Sequence, residues 1–122
     1  MAFRFLVVDD SVRIQALYRS ALHMGWPGAE VVAVASENEA IREATGDRWD
    51  LILMDAQLSP GSGISAILQI RAAGVSVPIL FVSGDDESVL CAARDAGATD
   101  VRHKPVPVSE LIALANRLVN AS

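Results

Sequence analysis

Short apolar runs alternate with longer amphipathic stretches along this chain, and that alternation restricts the fold more than any other feature. Most of the runs are almost wholly apolar, which is typical of strands covered on both faces in a parallel sheet. The last stretch places apolar side chains at helical spacing, so it predicts a helix that packs on the sheet. The predicted strands are Phe3–Val8, Glu30–Val34, Leu51–Met54, Ile79–Val82 and Thr99–His103, and the predicted helices are Val12–Met24, Glu37–Ala44, Ser62–Ala73, Glu87–Ala96 and Val108–Val119.

Glycines mark the ends of the first four predicted helices. Gly25, Gly46, Gly74 and Gly97 each close a helical pattern, at a position where a left-handed residue fits. The chain has 122 residues, shows no internal repeat or linker, and is long enough for one domain with a buried core. The sequence therefore predicts a single α/β domain over residues 1–122, with a (βα)5 doubly wound, five-stranded parallel sheet.

Composition excludes several classes of protein. Apolar residues make up 52% of the chain, which argues against disorder. The net charge of −5 argues against a protein that binds nucleic acid through phosphate contacts. The apolar runs are too short to span a membrane, no signal-peptide pattern opens the chain, and the single cysteine cannot form an internal disulfide. We therefore expect a cytoplasmic protein without direct contact to nucleic acid or membrane.

Polar residues follow four of the predicted strands at the point where each strand ends. Asp9 and Asp10 follow the first strand, Asp55 the third, Ser83 the fourth and Lys104 the fifth. In a doubly wound sheet, ligands bind outside the carboxyl ends of the strands, near the point where strand order reverses. Lys104 is the only lysine beside nine arginines, which suggests a task for a compact ammonium group. These residues predict a pocket for a divalent cation and a phosphoryl group.

The motifs at the strand ends, taken in order, resemble those of the receiver domain of bacterial response regulators. They are Asp9-Asp10, Asp55, Ser83-Gly84 and Lys104-Pro105. None of these motifs is specific alone, but all of them occur in the right order and on the matching element. The resemblance extends from Phe3 to about Val119. It implies the flavodoxin-like, CheY-like three-layer sandwich and a phosphoacceptor function in two-component (phosphorelay) signalling.

The resemblance also implies a magnesium site. Asp10, Asp55 and the backbone carbonyl of Gln57 would hold Mg²⁺, with Asp9 acting directly or through a bound water. Magnesium takes an octahedral shell of oxygen ligands and usually keeps several waters, so these groups are sufficient protein ligands. A dication would also relieve the repulsion between carboxylates that are packed together.

The resemblance assigns the phosphoryl chemistry to three residues. Asp55 would be the phosphoacceptor and form an acyl phosphate, 4-aspartylphosphate. Lys104 and Ser83 would each contact a phosphoryl oxygen, and the Lys104-Pro105 bond would be cis. No enzymatic activity is expected beyond self-phosphorylation and autodephosphorylation at Asp55.

Other roles compete for some of the acidic residues. Asp10 is also suited to cap the helix that follows it, although capping does not explain two adjacent acids together with Asp55. Asp85, Asp86 and Glu87 suit the start of the fourth helix, where acids interact favourably with the helix dipole. In receivers, the positions of Gln57 and Asp85 influence the lifetime of the phosphoryl group, and we hypothesise that both residues tune its hydrolysis here.

The chain departs from the receiver pattern at two places. Val101 stands where the family usually has the tyrosine or phenylalanine that rotates inward after the hydroxyl residue moves. The proline after Asp55 comes one position late, so Ser59 occupies the usual proline position and Pro60 follows. Gly63 remains where the family has glycine, and we expect the path of this loop to be preserved.

Three function classes are compatible with these residues to different degrees. A phosphorylatable receiver is favoured by the complete set of polar residues, whereas Val101 leaves open a receiver-like interaction module that does not switch by phosphorylation. A phosphohydrolase of the haloacid dehalogenase class also uses an aspartyl nucleophile. That class needs two aspartates separated by one residue, whereas Asp9 and Asp10 are adjacent.

The resemblance implies two kinds of protein partner. A histidine kinase or phosphotransfer protein would supply the phosphoryl group, and a downstream protein target or an output domain outside this sequence would receive the signal. The expected docking surface is the face formed by the fourth helix, fifth strand and fifth helix, and a homodimer through the same face is an alternative. Its polar residues include Arg94, Arg102, Asn116 and Arg117.

Overall fold

Strands and helices alternate throughout the computed structural model, which describes residues 2–121. All ten predicted elements are present, and their ends lie within two residues of the predicted ones. Among the described residues, no helix is long and apolar enough to cross a membrane. The elements are β1 (Arg4–Val8), α1 (Val12–Gly25), β2 (Glu30–Val34), α2 (Glu37–Gly46), β3 (Leu51–Asp55), α3 (Gly63–Ala72), β4 (Ile79–Ser83), α4 (Glu87–Ala96), β5 (Asp100–His103) and α5 (Val108–Val119).

The five strands form one parallel sheet in the order β2-β1-β3-β4-β5. The order reverses at β1, which pairs with β2 on one side and with β3 on the other. Val8 of β1 lies opposite Met54 of β3, so the residues that follow the two strands emerge side by side. The doubly wound topology predicted from the sequence is therefore confirmed, and its switch point lies where the aspartates are.

Alternate residues of each strand point into two separate cores, one on each face of the sheet. In β1, Leu6 and Val8 enter the core beneath α2, α3 and α4, whereas Phe5 and Val7 enter the core beneath α1 and α5. All four side chains are buried. Because both faces of the sheet are covered, the strands need apolar side chains at nearly every position. The fold is a three-layer sandwich.

The first four helices begin at polar caps. Ser11, Ser36, Ser62 and Asp86 each accept a hydrogen bond from a backbone N–H in the first turn of α1, α2, α3 and α4, respectively. Ser11 therefore takes the capping role that Asp10 was also suited for, and Asp10 remains available for other contacts. The prediction that Asp86 serves the start of the fourth helix is confirmed.

The glycine prediction was right at two helix ends and wrong at two. Gly74 and Gly97 have positive φ angles of 86° and 122° after α3 and α4. Gly25 and Gly46 are instead the last residues of α1 and α2, and neither has a positive φ. The chain leaves these two helices without a left-handed residue, because Trp26 and Asp47 continue in other backbone conformations.

Arg71 of α3 connects the two segments that precede β4 and β5. Its guanidinium donates to the carbonyls of Val75 at 2.9 Å, Val77 at 2.7 Å and Gly97 at 2.9 Å. A longer bond of 3.4 Å reaches the hydroxyl of Thr99. These acceptors belong to the connection between α3 and β4 and to the connection between α4 and β5. One charged side chain thus satisfies several backbone carbonyls that no helix or strand pairs.

We expect Arg71→Ala to lower the free energy of unfolding by about 2–3 kcal/mol, because the carbonyls it serves lose a charged donor. Urea denaturation followed by circular dichroism measures this change. Arg42→Ala, which removes an exposed arginine of α2, is the control and should change stability by no more than about 0.5 kcal/mol. Equal stability of the two variants would contradict the role given to Arg71.

Candidate functional site

Three carboxylates meet where β1 and β3 end. One carboxylate oxygen from each of Asp9, Asp10 and Asp55 lies within 4.8 Å of the others. Asp9 and Asp55 are buried and Asp10 is exposed, so the group opens to solvent on one side. The parallel pairing of β1 with β3 brings these residues together, as the sequence predicted. Carboxylate oxygens at this spacing are the ligands that hard divalent cations such as Mg²⁺ prefer.

Lys104 reaches this group from the end of β5. Its Nζ lies 2.6 Å from Oδ1 of Asp55 and 3.5 Å from Oδ2 of Asp9. Burial disfavours the charged lysine, but the hydrogen bond and charge of Asp55 outweigh burial, so the pKa of Lys104 is raised. Lys104 is therefore a fixed positive charge at neutral pH. A long, thin side chain suits this position because β4 separates β5 from β3.

Asp55 has an environment that opposes its ionisation. Burial raises the pKa of its carboxyl group, and the negative charge of Asp9 acts in the same direction. The hydrogen bond from Lys104 opposes that rise, as does the hydrogen bond of 3.2 Å that the backbone N–H of Gln57 donates to Oδ2. A buried carboxylate held in this way is a stronger base, and a better nucleophile, than one in water.

The loop between β1 and α1 is fixed by hydrogen bonds to Asp9. The backbone N–H of Ser11 donates to the Asp9 carboxylate at 2.9 Å. The side-chain amide of Gln15 donates to the Asp9 carbonyl at 2.7 Å and to the Val34 carbonyl at 3.2 Å. Gln15 thus joins the ends of β1 and β2 beside the aspartates. Gln15 was not predicted from the sequence, where its only signal is its place in the first turns of α1 on the side that faces the sheet.

A polar pocket of about 330 Å³ opens beside Asp55. Ser83, at the end of β4, is fully buried in its wall. The Ser83 hydroxyl donates to the Asp85 carboxylate at 3.1 Å and accepts from the Asp85 backbone N–H at 2.9 Å. The hydroxyl predicted to contact a phosphoryl group is therefore bonded to an acid two residues away. The lining residues are Asp55, Ala56, Gln57, Ser83, Gly84, Asp85 and Lys104.

The loop between β3 and α3 folds back against Asp55. Gln57 and Ser62 form an isolated antiparallel bridge, and the N–H of Gly63 donates to the Ala56 carbonyl at 2.9 Å. A Cβ atom on Gly63 would lie 2.1 Å from the Asp55 carbonyl oxygen, so only glycine permits this approach.

Two peptide bonds near the site precede prolines and are cis. The Lys104-Pro105 bond is cis, which confirms the expectation drawn from the resemblance. The Ser59-Pro60 bond is also cis, at the place where the proline comes one position late.

The face formed by α4, β5 and α5 is organised around one buried acid. Asp100 accepts from Arg102 at 2.7 Å and from Arg117 at 2.9 Å, and Arg94 lies 3.6 Å away. Glu110 of α5 also lies 3.9 Å from Arg102, so the arginines of this face alternate with acidic residues. Val101, which follows Asp100 in β5, is buried in the core beneath α4 and offers no aromatic ring there.

A family model for the response regulator receiver domain matches residues 5–116. The chain belongs to the response regulator receiver family. This receiver is also similar to the receiver domain of the sensor histidine kinase PA1611 from Pseudomonas aeruginosa, whose crystal structure has a magnesium ion coordinated in the active-site cleft. The two chains are 30% identical, the match covers 98% of each, and the TM-score is 0.87.

Curated relatives of this receiver are longer proteins. The transcriptional regulatory protein PrrA of Mycobacterium tuberculosis is 34% identical over 119 residues, which cover 95% of this chain and 49% of PrrA. The response regulator MprA of Mycolicibacterium vanbaalenii is 32% identical over 120 residues, which cover 98% of this chain and 51% of MprA. The chain spans about half the length of these relatives. A CheY-like receiver from Methanospirillum hungatei, with a TM-score of 0.91 at 21% identity, agrees in fold.

Proposed function

We propose that this receiver accepts a phosphoryl group on Asp55 from the phosphohistidine of a histidine kinase or phosphotransfer protein, within a bacterial two-component system. The supporting observation is the buried Asp55 carboxylate, whose Oδ1 lies 2.6 Å from the Lys104 ammonium at the mouth of a polar pocket. Membership of the receiver family, shown by the match over residues 5–116, supports the same function.

The acidic residues fit a magnesium ion. Three carboxylates offer oxygens within 4.8 Å of one another, and Asp10 keeps the group open to solvent, which suits a metal that retains waters. We assign Asp10, Asp55 and the backbone carbonyl of Gln57 as ligands, with Asp9 contributing directly or through water. When bound, the ion would offset the charge that the carboxylates and the transferring phosphoryl group bring together.

Phosphoryl transfer to Asp55 makes one bond to phosphorus and breaks another. A carboxylate oxygen of Asp55 forms a bond to phosphorus while the bond from phosphorus to the donor nitrogen breaks, and the freed imidazole takes up a proton. Lys104 holds one phosphoryl oxygen as negative charge spreads over the group. Ser83 donates its hydroxyl to another phosphoryl oxygen, and it must leave Asp85 to do so. Water later attacks the phosphorus, which releases phosphate and restores the Asp55 carboxylate.

Intact-mass analysis after incubation with a small acyl phosphate and Mg²⁺ tests this function. The wild-type protein should gain one phosphoryl group with Mg²⁺ and none in a chelator. No gain under conditions that modify an ordinary receiver would overturn the proposal and favour a receiver-like interaction module that does not switch by phosphorylation. Capture of partners by the unmodified protein would then identify what it binds.

The phosphorylated receiver acts, on this proposal, in the cytoplasm and through protein contacts. The face of α4, β5 and α5 is the docking surface for a downstream target or an output domain, and a homodimer would use the same face. Arg94 and Arg117 are exposed there and offer charged donors to acidic groups of a partner.

Asp85 and Gln57 should both set the lifetime of the phosphoryl group. Asp85→Asn keeps the side-chain volume but removes a negative charge that competes for the Ser83 hydroxyl, so hydrolysis should slow several-fold. Gln57→Ala removes an exposed amide at the pocket mouth that can orient an attacking water, and it should also slow hydrolysis. The decay of the phosphorylated form, followed by intact mass, measures both effects. Asp95→Asn, on the outer face of α4, is the control. The hypothesis would be refuted if the phosphorylated forms of Asp85→Asn and Gln57→Ala both decayed as fast as that of Asp95→Asn.

A further inference from the structure

Glu37, the first residue of α2, makes a cluster of contacts with the loop that follows β3. Its carboxylate accepts hydrogen bonds from the Ser62 N–H at 2.9 Å, from the Ser65 hydroxyl at 2.7 Å and from the Gln69 amide at 2.8 Å. The backbone N–H of Glu37 donates to the Pro60 carbonyl at 3.0 Å. One acidic residue therefore binds the segment from Pro60 to Gln69 through four hydrogen bonds.

The loop is shaped to fit around Glu37. Gly61 has a φ of 106°, and a Cβ atom at that position would lie 2.3 Å from the Cβ of Glu37. Only glycine adopts this conformation easily and leaves room for the approach. The contact between α2 and the loop is thus built into the backbone of both segments, as well as into the carboxylate.

The segment from Pro60 to Gln69 also contacts the residues beside the phosphorylation site. Ser62, which Glu37 holds from one side, pairs on its other side with Gln57 in the isolated bridge. The N–H of Gln57 donates in turn to Oδ2 of Asp55 at 3.2 Å. The contacts therefore run from Glu37 to Ser62, across the bridge that the Gly63 N–H closes with the Ala56 carbonyl at 2.9 Å, and from Gln57 to Asp55.

The surroundings of Glu37 favour the ionised form of its carboxylate. Glu37 lies beside the amino end of α3, where the helix dipole attracts negative charge. The hydrogen bond from Ser65, followed by that from the Ser62 N–H, lowers the pKa of Glu37 below its usual range. The Glu37 carboxylate is consequently ionised at neutral pH, the form that accepts these hydrogen bonds best.

We propose that Glu37 is a positioning residue for the phosphorylation site, because its carboxylate holds the loop that places Gln57 beside Asp55. The inference rests on the proposed function, since it names a further residue of the same site. Glu37 touches neither the phosphoryl group nor the metal. It acts through Ser62 and Gln57, and its loss lets the loop move away from the acidic residues.

The test compares Glu37→Ala and Glu37→Gln with Glu43→Gln, a substitution on the same helix outside this hydrogen-bond network. Calorimetric titration should show that Glu37→Ala binds Mg²⁺ roughly tenfold more weakly than the wild type. Losses of this size are usual for residues that orient metal ligands without touching the metal. Glu37→Gln, which keeps one acceptor oxygen, should lie between Glu37→Ala and the wild type. Amide hydrogen exchange of the metal-free proteins should be faster at Gln57 and Ser62 in Glu37→Ala, and the phosphorylation rate should fall along with the Mg²⁺ affinity.

Ser65→Ala is a second, milder variant that leaves the charge of Glu37 in place. It should weaken Mg²⁺ binding in the same direction and by less, which keeps the test valid if Glu37→Ala folds poorly. Wild-type Mg²⁺ affinity and phosphorylation rate in folded Glu37→Ala would overturn the positioning role and leave Glu37 only a structural contact between α2 and α3. Absence of phosphorylation in the wild type would instead overturn the proposed function, and this inference with it.

Discussion

Replacing Asp55 with asparagine is expected to abolish phosphorylation completely. An amide oxygen is a poor nucleophile, and the substitution also removes one of the three carboxylates that meet at this end of the sheet. The geometry of the site should otherwise persist, because asparagine has nearly the same shape and Lys104 retains Asp9 as a partner at 3.5 Å. Intact-mass analysis with an acyl phosphate and Mg²⁺ should therefore detect no gain of mass in Asp55→Asn.

Two controls make this result specific. Asp95→Asn removes an exposed aspartate on α4 and should be phosphorylated at the wild-type rate. Circular dichroism of Asp55→Asn should match that of the wild type, which excludes unfolding as the cause of lost phosphorylation. If Asp55→Asn gained a phosphoryl group at the wild-type rate, fragment masses would locate another acceptor, and the role assigned to Asp55 would be wrong.

The elements of this fold could be predicted from the sequence because the sheet is covered on both faces. That arrangement requires strands such as Leu51–Asp55 and Ile79–Ser83 to be buried along their whole length, so each appears as an unbroken apolar run. The polar residue that ends each run then marks the carboxyl edge of the sheet. Asp9, Asp10, Asp55 and Lys104 were therefore predicted together. The structure brings oxygens of the three carboxylates within 4.8 Å of one another and the Lys104 Nζ within 3.5 Å of Asp9 and Asp55.

The contacts that support the site could not be predicted in the same way. Glu37 bonds to Ser62 and Ser65, which are 25 and 28 residues away, and its sequence signal is only that of an acid in the first turn of a helix. The helix dipole already accounts for such an acid, so nothing in the pattern points to a distant loop. Gln15 is similar, because its bond to Val34 depends on how β1 and β2 pair.

The helix ends show a further limit of the sequence pattern. A glycine after a helical pattern predicts a left-handed terminus, and Gly74 and Gly97 meet that prediction. Gly25 has the same pattern, but a Cβ atom there would lie 3.1 Å from Ile112 of α5. Glycine at this position therefore reflects the close packing of α1 on α5, a tertiary contact that local sequence does not reveal.

Replacing Lys104 with methionine is expected to reduce the phosphorylation rate by about a hundredfold, the usual cost of losing one group that stabilises charge in a transition state. Methionine has a similar length and no charge, so the pocket stays filled while the ammonium beside Asp55 is lost. Initial rates of phosphoryl gain at fixed acyl phosphate and Mg²⁺ measure the effect. Lys104→Arg restores the charge on a larger, planar group and should recover only part of the rate.

The same variants should separate the effect of Lys104 on ionisation from its effect on the phosphoryl group. Burial and Asp9 raise the pKa of Asp55, and the hydrogen bond from Lys104 opposes them. Without that bond, metal-free Lys104→Met should titrate Asp55 at a higher pH than the wild type, as followed by carboxyl NMR shifts. Because Asp55 attacks only when ionised, a raised pKa slows the reaction most at acidic pH, whereas lost phosphoryl contact slows it at every pH. An unchanged Asp55 titration together with a wild-type rate would show that the ion pair at 2.6 Å has no part in the reaction.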